Sequence, residues 1–377
     1  MSAVYVVSHN IISPLGSTTA ENFSRLKEGV SGIRRHDDEK MSDQPFFASL
    51  LDNTKPLLRE DSSVPYTKFE QLLIASMSDA LLNSDIDVRD KATALIISST
   101  KGNIGLLGTG TDDPELMKRI ALPSSAAVVA RHHNFINKPI VVSNACISGV
   151  LGILTGMRLI RSGQYENVVV AGADTVSKFV LSGFQSFQAI SPGLCKPFDR
   201  QRDGINLGEG AATIVLSSQK KYGSGIRIAS GSVSNDANHI SGPSRTGTEL
   251  FQIMTRSLRE AGLQAADIDF ISAHGTATVY NDEMEAKAIG LADLRSVPVN
   301  SLKGYYGHTL GAAGLIESII TIQSMKEGLI LPTMGFEQIG VSEPLNICSS
   351  LLRTPLKNCL KTASGFGGCN AAMIMSK

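Results

Sequence analysis

Two fifteen-residue segments, "GVLGILTGMRLIRSG" (Gly149–Gly163) and "GLIESIITIQSMKEG" (Gly314–Gly328), share a length, a glycine at each end and a largely apolar interior. A helix that is apolar nearly all round has no face to show water and has to be buried. A chain carrying two of them, far apart in sequence, needs a core with room for both. Their surroundings repeat as well. "ALIISSTKG" (Ala94–Gly102) precedes the first as "DFISAHGTA" (Asp269–Ala277) precedes the second. "GEGAATIVLS" (Gly208–Ser217) follows the first as "GGCNAAMIMS" (Gly367–Ser376) follows the second. Matched order and matched length read as a duplicated unit, each half giving one buried helix to a shared centre.

Apolar, β-branched runs alternate with longer helical patterns along the chain. The strand candidates are "AVYVVS", "ALIIS", "PIVVS", "NVVVAG", "ATIVLSS", "DFISAHG", "VPVNS" and "AAMIMS". Between them lie amphipathic stretches such as "TKFEQLLIASMSDALLN" and "LFQIMTRSLREAG". This alternation predicts a layered α/β architecture. The most linker-like stretch, "SSQKKYGSG" (Ser217–Gly225), divides the chain into residues 1–220 and residues 221–377. At 377 residues the chain is long enough for two packed halves. The 35 Lys and Arg balance 35 Asp and Glu, which leaves no basic stripe for nucleic acid and no acidic tail. No apolar run is long enough to cross a bilayer. The opening "MSAVYVVSHNIISPLGS" has no basic segment before its apolar stretch and reads as a first strand, not a signal peptide. Five cysteines, an odd number with no CxxC and no metal-ligand spacing, point away from a disulfide framework and toward the reducing cytoplasm. They also give no sign of a metal site.

Cys146 stands where the strand run "PIVVS" gives way to the first apolar helix. A helix start offers unpaired N–H groups and partial positive charge. Both favour a thiolate and supply donors to a developing oxyanion. Cys195, Cys348, Cys359 and Cys369 precede no such helix and read as packed thiols. Two histidines have comparable settings. His274 follows a strand in "SAHGTATVYND", and His308 lies in the Gly-rich "NSLKGYYGHTLGAAG". In a duplicated fold both fall at element ends near the junction of the halves, where Cys146 also lies. One cysteine and two histidines suit acyl chemistry: a thioester on the cysteine, and two neutral imidazoles stabilising the enolate left when a malonyl group loses CO2. A cysteine protease would use one histidine as base and an Asn or Asp to orient it. The residues by themselves leave both chemistries open.

The motifs resemble those of the elongating β-ketoacyl-acyl-carrier-protein synthases, within the thiolase-like superfamily. "NACISG" resembles the nucleophile motif of that family, "HGTATVYND" its first histidine motif, and "SLKGYYGHTLGAAG" the motif joining a lysine to Gly-His. "KPFDRQRDGINLGEGAA" and "SGFGGCNAAMIM" match two further signatures, and "ISPLG" and "NDANHISGP" agree. The matches span nearly the whole chain in the family's order. The resemblance implies an α/β thiolase-like fold with five layers, α/β/α/β/α, built from two duplicated halves. It implies Cys146 as acyl-accepting nucleophile, His274 and His308 as the pair supporting malonyl decarboxylation, and Lys303 with Glu317 organising them. It implies an oxyanion hole from the backbone N–H groups of Cys146 and Phe366, and Phe366 as the gate to the acyl pocket. Gly365, Thr276, Thr278, Asn144 and Ile147 are the further expected substrate contacts. No metal or organic cofactor is implied beyond the phosphopantetheine arm of an acyl carrier protein, the expected partner. The chain is expected as a homodimer, or as a heterodimer with a related chain-length subunit.

Cys, His and His separate this pattern from initiating synthases, which carry Asn in the second histidine's motif, and from degradative thiolases, which use a second cysteine. Cys369, where synthases commonly have threonine, reads as a packing substitution. Asn144 replaces a usual threonine, Gly304 a common serine, and the chain is short around residues 40–65 and 103–138. These departures turn the expectation from housekeeping fatty-acid synthesis toward a specialised polyene or polyketide pathway, aryl-polyene or flexirubin-like synthesis being nearest. The competing readings are a non-decarboxylating acyltransferase or thiolase-like enzyme and a non-catalytic chain-length factor. Cys146 and the two histidines argue against the second.

Overall fold

The computed structural model describes residues 2–52, 54, 57–58, 66–108, 110 and 113–377, so part of the segment expected to be shortened, residues 40–65, lies outside the described residues. The first half runs β1 (Tyr5–Ile12), α1 (Thr19–Lys27), β2 (Arg34–His36), β3 (Phe46–Ser49), α2 (Lys68–Leu82), β4 (Thr93–Ser98), α3 (Pro114–Lys118), α4 (Leu122–His132), β5 (Ile140–Val142), α5 (Ser148–Arg161), β6 (Asn167–Asp174), α6 (Lys178–Ser186), β7 (Leu207–Gly208) and β8 (Gly210–Ser217). The second half runs β9 (Arg227–Asn235), α7 (Thr248–Ala261), β10 (Phe270–Ser272), α8 (Val279–Leu291), β11 (Val299–Asn300), α9 (Lys303–Tyr306), α10 (Ala313–Glu327), β12 (Leu329–Ile330), β13 (Leu352–Arg353), β14 (Asn358–Gly365) and β15 (Cys369–Ser376).

Ten strands join in the order β11-β10-β14-β15-β9-β1-β8-β6-β4-β5. Read outward from the centre, the halves mirror each other: β1-β8-β6-β4-β5 on one side and β9-β15-β14-β10-β11 on the other. The pairing repeats too. β8 is antiparallel to β1 and β6 while β4 is parallel to β6 and β5. β15 is antiparallel to β9 and β14 while β10 is parallel to β14 and β11. Strands β4, β6, β8 and β15 are buried along their whole length. Sheets covered on both faces need apolar runs of that kind rather than alternation.

The helices complete five layers. α2 packs on β1, β6 and β8, and α7 packs on β9 and β15. Between the half-sheets, α5 touches β4, β5, β6 and β8 on one side and β9 and β15 on the other, and α10 likewise touches both halves. The half-sheets are continuous rather than separate, because β1 also pairs with β9. Thr67 begins α2 with a capping box closed by Glu70.

α5 and α10 cross almost backbone to backbone. An added Cβ on Gly149 would lie 2.7 Å from Leu315 N, and one on Gly314 would lie 2.7 Å from Val150 N. The first glycine of each repeated segment is thus the contact between the repeats. α10 is buried nearly throughout, but α5 leaves Leu151, Thr155 and Leu159 half-buried and Arg158 exposed.

Each of the eight expected strands is present. Within the ten-stranded sheet β9 and β14 are additional, since "RIASGSVSN" and "NCLKTASG" carry too few large apolar residues to announce themselves. Small residues are needed there: the space a Cβ would take at Gly231 of β9 is filled by Leu154 of α5.

Candidate active site

The turn from β5 into α5 places Cys146. Ala145 takes φ 44°, a left-handed conformation costly for a residue with a Cβ. Ser148 holds the turn: its Oγ accepts from Asn144 N at 2.8 Å and donates to Ala145 O at 2.6 Å. Cys146 follows, one residue before the Ile147 cap of α5, and is 8% exposed. The Phe366 N–H faces its sulfur and favours the thiolate. Gly365 has to be glycine to let the strands meet here: a Cβ would come within 2.9 Å of both Cys146 N and Cys369 Sγ.

His274 sits just past β10. Its N–H and that of Gly275 donate to the two oxygens of Glu285, each at 2.8 Å. Asp282 accepts from Thr276 N, Ala277 N and Phe198 N in the same way. Two carboxylates at the start of α8 therefore set the path of the histidine loop. His308 is tied to the other half of the chain. Its N–H donates to Asn206 O at 2.7 Å and its carbonyl accepts from Gly208 N at 3.0 Å. Asp174, at the end of β6, accepts from Ser99 Oγ, Thr100 N and Gly311 N, fixing the turn after His308 against β4.

Cys146, His274, His308, Thr276, Thr278, Gly365 and Phe366 line one cavity of about 430 Å³. The imidazoles meet edge to face, centroids 5.2 Å apart and planes at 80°. Both Nδ1 atoms are buried without a hydrogen-bond partner among the described residues, so the ring nitrogen each presents to the cavity is Nε2. Phe366 is flanked by Phe184, stacked at 5.5 Å, and by Phe187, edge-on at 5.3 Å. Lys303 and Glu317 lie behind the histidines, outside the cavity lining. Lys303 Nζ donates to His274 O at 3.0 Å and pairs with Glu317 Oε1.

Two of the expected substrate contacts lie outside this cavity. Ile147 is the cap of α5 and is packed in the central core at 1% exposure. Asn144 is exposed, and neither residue lines the cavity. The role expected of Cys369 fits its position, its Sγ donating to Phe366 O and Asn144 O.

Burial, then Lys303, His308 and Lys361, pushes the His274 imidazole well below its ordinary range. Burial, then Lys303 and Lys361, does the same for His308. Both rings are neutral at physiological pH. Cys146 differs from the sequence expectation: burial, aided by Cys369 and opposed by Lys303 and the Phe366 N–H, pushes its thiol up to about 12. A helix terminus contributes only about 0.3–1 kcal/mol, too little to offset desolvation of a thiolate. At rest the site holds a thiol and two neutral imidazoles.

Sequence reasoning missed Asp282, Glu285, Asp174, Phe184, Phe187 and Lys361. Signals were present for three of them. Asp282 and Glu285 stand three apart where "YNDEME" begins a helix, and Lys361 is a lone charge within "NCLKTASG".

Residues 1–221 match the model of the "Beta-ketoacyl synthase, N-terminal domain", and residues 226–337 that of the "Beta-ketoacyl synthase, C-terminal domain". The chain is 29% identical to 3-oxoacyl-[acyl-carrier-protein] synthase 2 of Vibrio cholerae over 99% of both chains. It is 27% identical to a putative mitochondrial 3-oxoacyl-[acyl-carrier-protein] synthase of Schizosaccharomyces pombe, over 100% of this chain and 99% of that one. Among solved structures, the ishigamide ketosynthase/chain length factor superposes with a TM-score of 0.90 at 25% identity, over 100% of this chain and 99% of the other.

Proposed function

The chain belongs to the β-ketoacyl synthase family of condensing enzymes, and from that premise we propose that it joins malonyl carrier protein to an acyl group held on Cys146. The acyl group arrives as a thioester on a carrier phosphopantetheine. The Cys146 sulfur attacks its carbonyl, a new C–S bond forms, and the pantetheine thiol leaves with the cysteine proton. Malonyl carrier protein then binds. Its bond to the terminal carboxylate breaks, CO2 departs, and the electron pair becomes an enolate whose oxygen is met by the N–H groups of His274 and His308. The enolate carbon attacks the Cys146 thioester. The tetrahedral oxyanion is received by the Cys146 and Phe366 N–H groups, the C–S bond breaks, and the Cys146 thiolate takes a proton from solvent as the β-ketoacyl product leaves. Lys303 and Glu317 position the histidines, Thr276, Thr278 and Gly365 contact the substrate, and Phe366 is the gate.

The observation that carries this reading is one cavity lined by a cysteine and two neutral imidazoles. A protonated imidazole would repel no carboxylate, but buried neutral rings spare the malonyl group a salt bridge that would hold its CO2 in place. Chemically the cycle calls for no metal or organic cofactor of the enzyme's own, since the phosphopantetheine arrives with the carrier protein.

The same proposal divides the chain into residues 1–220, with Cys146, and 221–377, with the histidines. The mirrored strand order supports it, as does the change of family model between residues 221 and 226. It also pairs the chain with a copy of itself or with a related chain-length subunit. Among the described residues β5 ends the sheet with an unpaired edge, Ile140 and Val141 are half-buried, and Ile136 is 53% exposed. We place the reaction in the cytoplasm: among the described residues no helix is long and apolar enough to cross a membrane, and the five cysteines are free thiols. Specialised polyene or polyketide synthesis remains the pathway we favour. The test is CO2 release from malonyl carrier protein by the purified chain. Wild type releases it, and His274→Ala and His308→Ala do not. Undiminished release in both variants would end the assignment of the histidines.

A further inference from the structure

Glu317 is shared by two lysines. Lys303 pairs with its Oε1, and Lys361 Nζ lies 2.8 Å from its Oε2. Lys361 stands on β14, in register with Ser272 of β10, and is 0% exposed. Its ammonium also donates to Ser272 O at 3.1 Å, to Ala273 O at 3.3 Å and to Thr362 O at 2.6 Å. Lys303 takes the next carbonyl, His274 O. Three successive carbonyls, 272 to 274, are therefore held by two ammonium groups leaning on one carboxylate. The next residue on β14 reinforces this from the other side: Thr362 Oγ1 donates to Glu285 at 2.5 Å, the carboxylate that fixes the N–H groups of His274 and Gly275.

On the functional reading given above, we propose that Lys361 is a positioning residue for the histidine pair, locking the end of β10 and setting the balance of charge around both imidazoles. A neutral side-chain amide could have donated to two of these three carbonyls. A second buried cation against a single carboxylate costs desolvation that hydrogen bonding alone does not require. Its effect falls on the rings. The charged groups around His274 and His308 are Lys303 from α9, Glu317 from α10, Lys361 from β14, Glu285 and Asp282 from α8 and Asp174 from β6, with the Cys146 thiol lining the same cavity. Glu285 and Asp282 are each engaged by backbone N–H groups. Glu317 is engaged by both lysines, so within the Lys303–Glu317–Lys361 cluster Lys361 leaves one positive charge in excess where a single lysine would leave none. Positive charge nearby opposes protonation of an imidazole. Burial pushes Lys361 itself down, and Glu317 holds it up.

The test is NMR of 15N-histidine-labelled protein, with His274 and His308 assigned by single His→Gln variants, alongside the pH profile of CO2 release. In wild type neither imidazole titrates between about pH 5 and 8. In Lys361→Met and Lys361→Gln at least one enters that window, moving up by about one unit or more. The acidic limb of CO2 release moves up with it, and kcat falls while KM for malonyl carrier protein holds. Lys361→Gln keeps a donor for the carbonyls and decides the matter should Lys361→Met not fold. Imidazoles and acidic limb unmoved in a folded variant, whatever its melting temperature, would overturn the proposal. Failure of both variants to fold would also overturn it, by making Lys361 a determinant of the fold alone. If wild type releases no CO2 the functional reading fails, and the imidazole titrations still decide the role of Lys361.

Discussion

Gly149→Ala is expected to loosen the whole site without touching a residue that lines it. The new Cβ would lie 2.7 Å from Leu315 N, 2.9 Å from Gly311 O and 3.2 Å from Gly314 C, where ordinary contact begins at 3.4 Å. All three are backbone atoms, so no side chain can rotate aside and the helices must part by about 0.7 Å, the difference between 3.4 and 2.7 Å. Overpacking of this kind costs about 1–3 kcal/mol. At roughly 2.1 cal/mol/K per residue the chain has an unfolding entropy of about 0.8 kcal/mol/K, so the melting temperature should fall by about 1–4 °C. The catalytic loss should be larger in proportion. α5 follows directly from Cys146, and α10 carries Glu317 just after His308. Misplacing reacting groups by about 1 Å costs up to roughly a hundredfold, so kcat should fall by roughly ten- to a hundredfold. Calorimetry and a condensation assay read the two effects. Gly183→Ala is the control, because that helical position of α6 has no atom of the described residues within 4 Å of an added Cβ and alanine should be neutral or stabilising by about 0.5–1 kcal/mol. A Gly149→Ala protein with a melting temperature within about 1 °C of wild type and kcat within about twofold would refute the crossing as the device that holds the halves in register.

Three further outcomes follow from the geometry. With its thiol pushed up to about 12, Cys146 should be alkylated by iodoacetamide about tenfold faster per pH unit from about pH 6 to 9; a plateau below about pH 8, read by mass spectrometry, would contradict the burial argument. Glu285→Gln leaves one oxygen to serve the two N–H groups and the hydroxyl that two oxygens accept now, so it should cost about 1–3 kcal/mol by denaturant unfolding and reduce CO2 release; stability and rate both unchanged would dismiss its hold on the His274 loop. Phe187 is 51% exposed yet borders the Phe366 ring, so Phe187→Ala should leave the melting temperature within about 1 °C and, by removing about 0.5–1.5 kcal/mol of ring contact, shift the acyl-chain preference in competition assays; an unmoved preference would reduce Phe187 to a surface ring.

The duplication was readable in the sequence for a physical reason. Strands covered on both faces and a helix buried all round have no freedom to be polar, so β4, β6, β8, β15, α5 and α10 announce themselves. β9 and β14 did not, because the close passage of α5 leaves Gly231 no room for a side chain and β14 carries a buried charge, Lys361, among small residues. The cysteine and the histidines were found from their places at element ends and from motif resemblance. What holds them was not. Asp282, Glu285 and Asp174 act on backbone N–H groups, and such contacts leave no periodic trace in the side chains. The thiolate expectation failed on magnitude: the start of a helix was identified, but burial at 8% exposure outweighs its partial charge.

Intact-protein mass spectrometry in two steps addresses the central claim most directly. Incubation with acyl carrier protein should add one acyl mass to wild type, located on Cys146 by peptide mapping and missing in Cys146→Ala. Addition of malonyl carrier protein should then clear that mass and yield a carrier-bound β-ketoacyl chain two carbons longer, with CO2 released in equal amount. An adduct that forms and clears by hydrolysis without the longer chain, or a longer chain made by Cys146→Ala, would contradict the account.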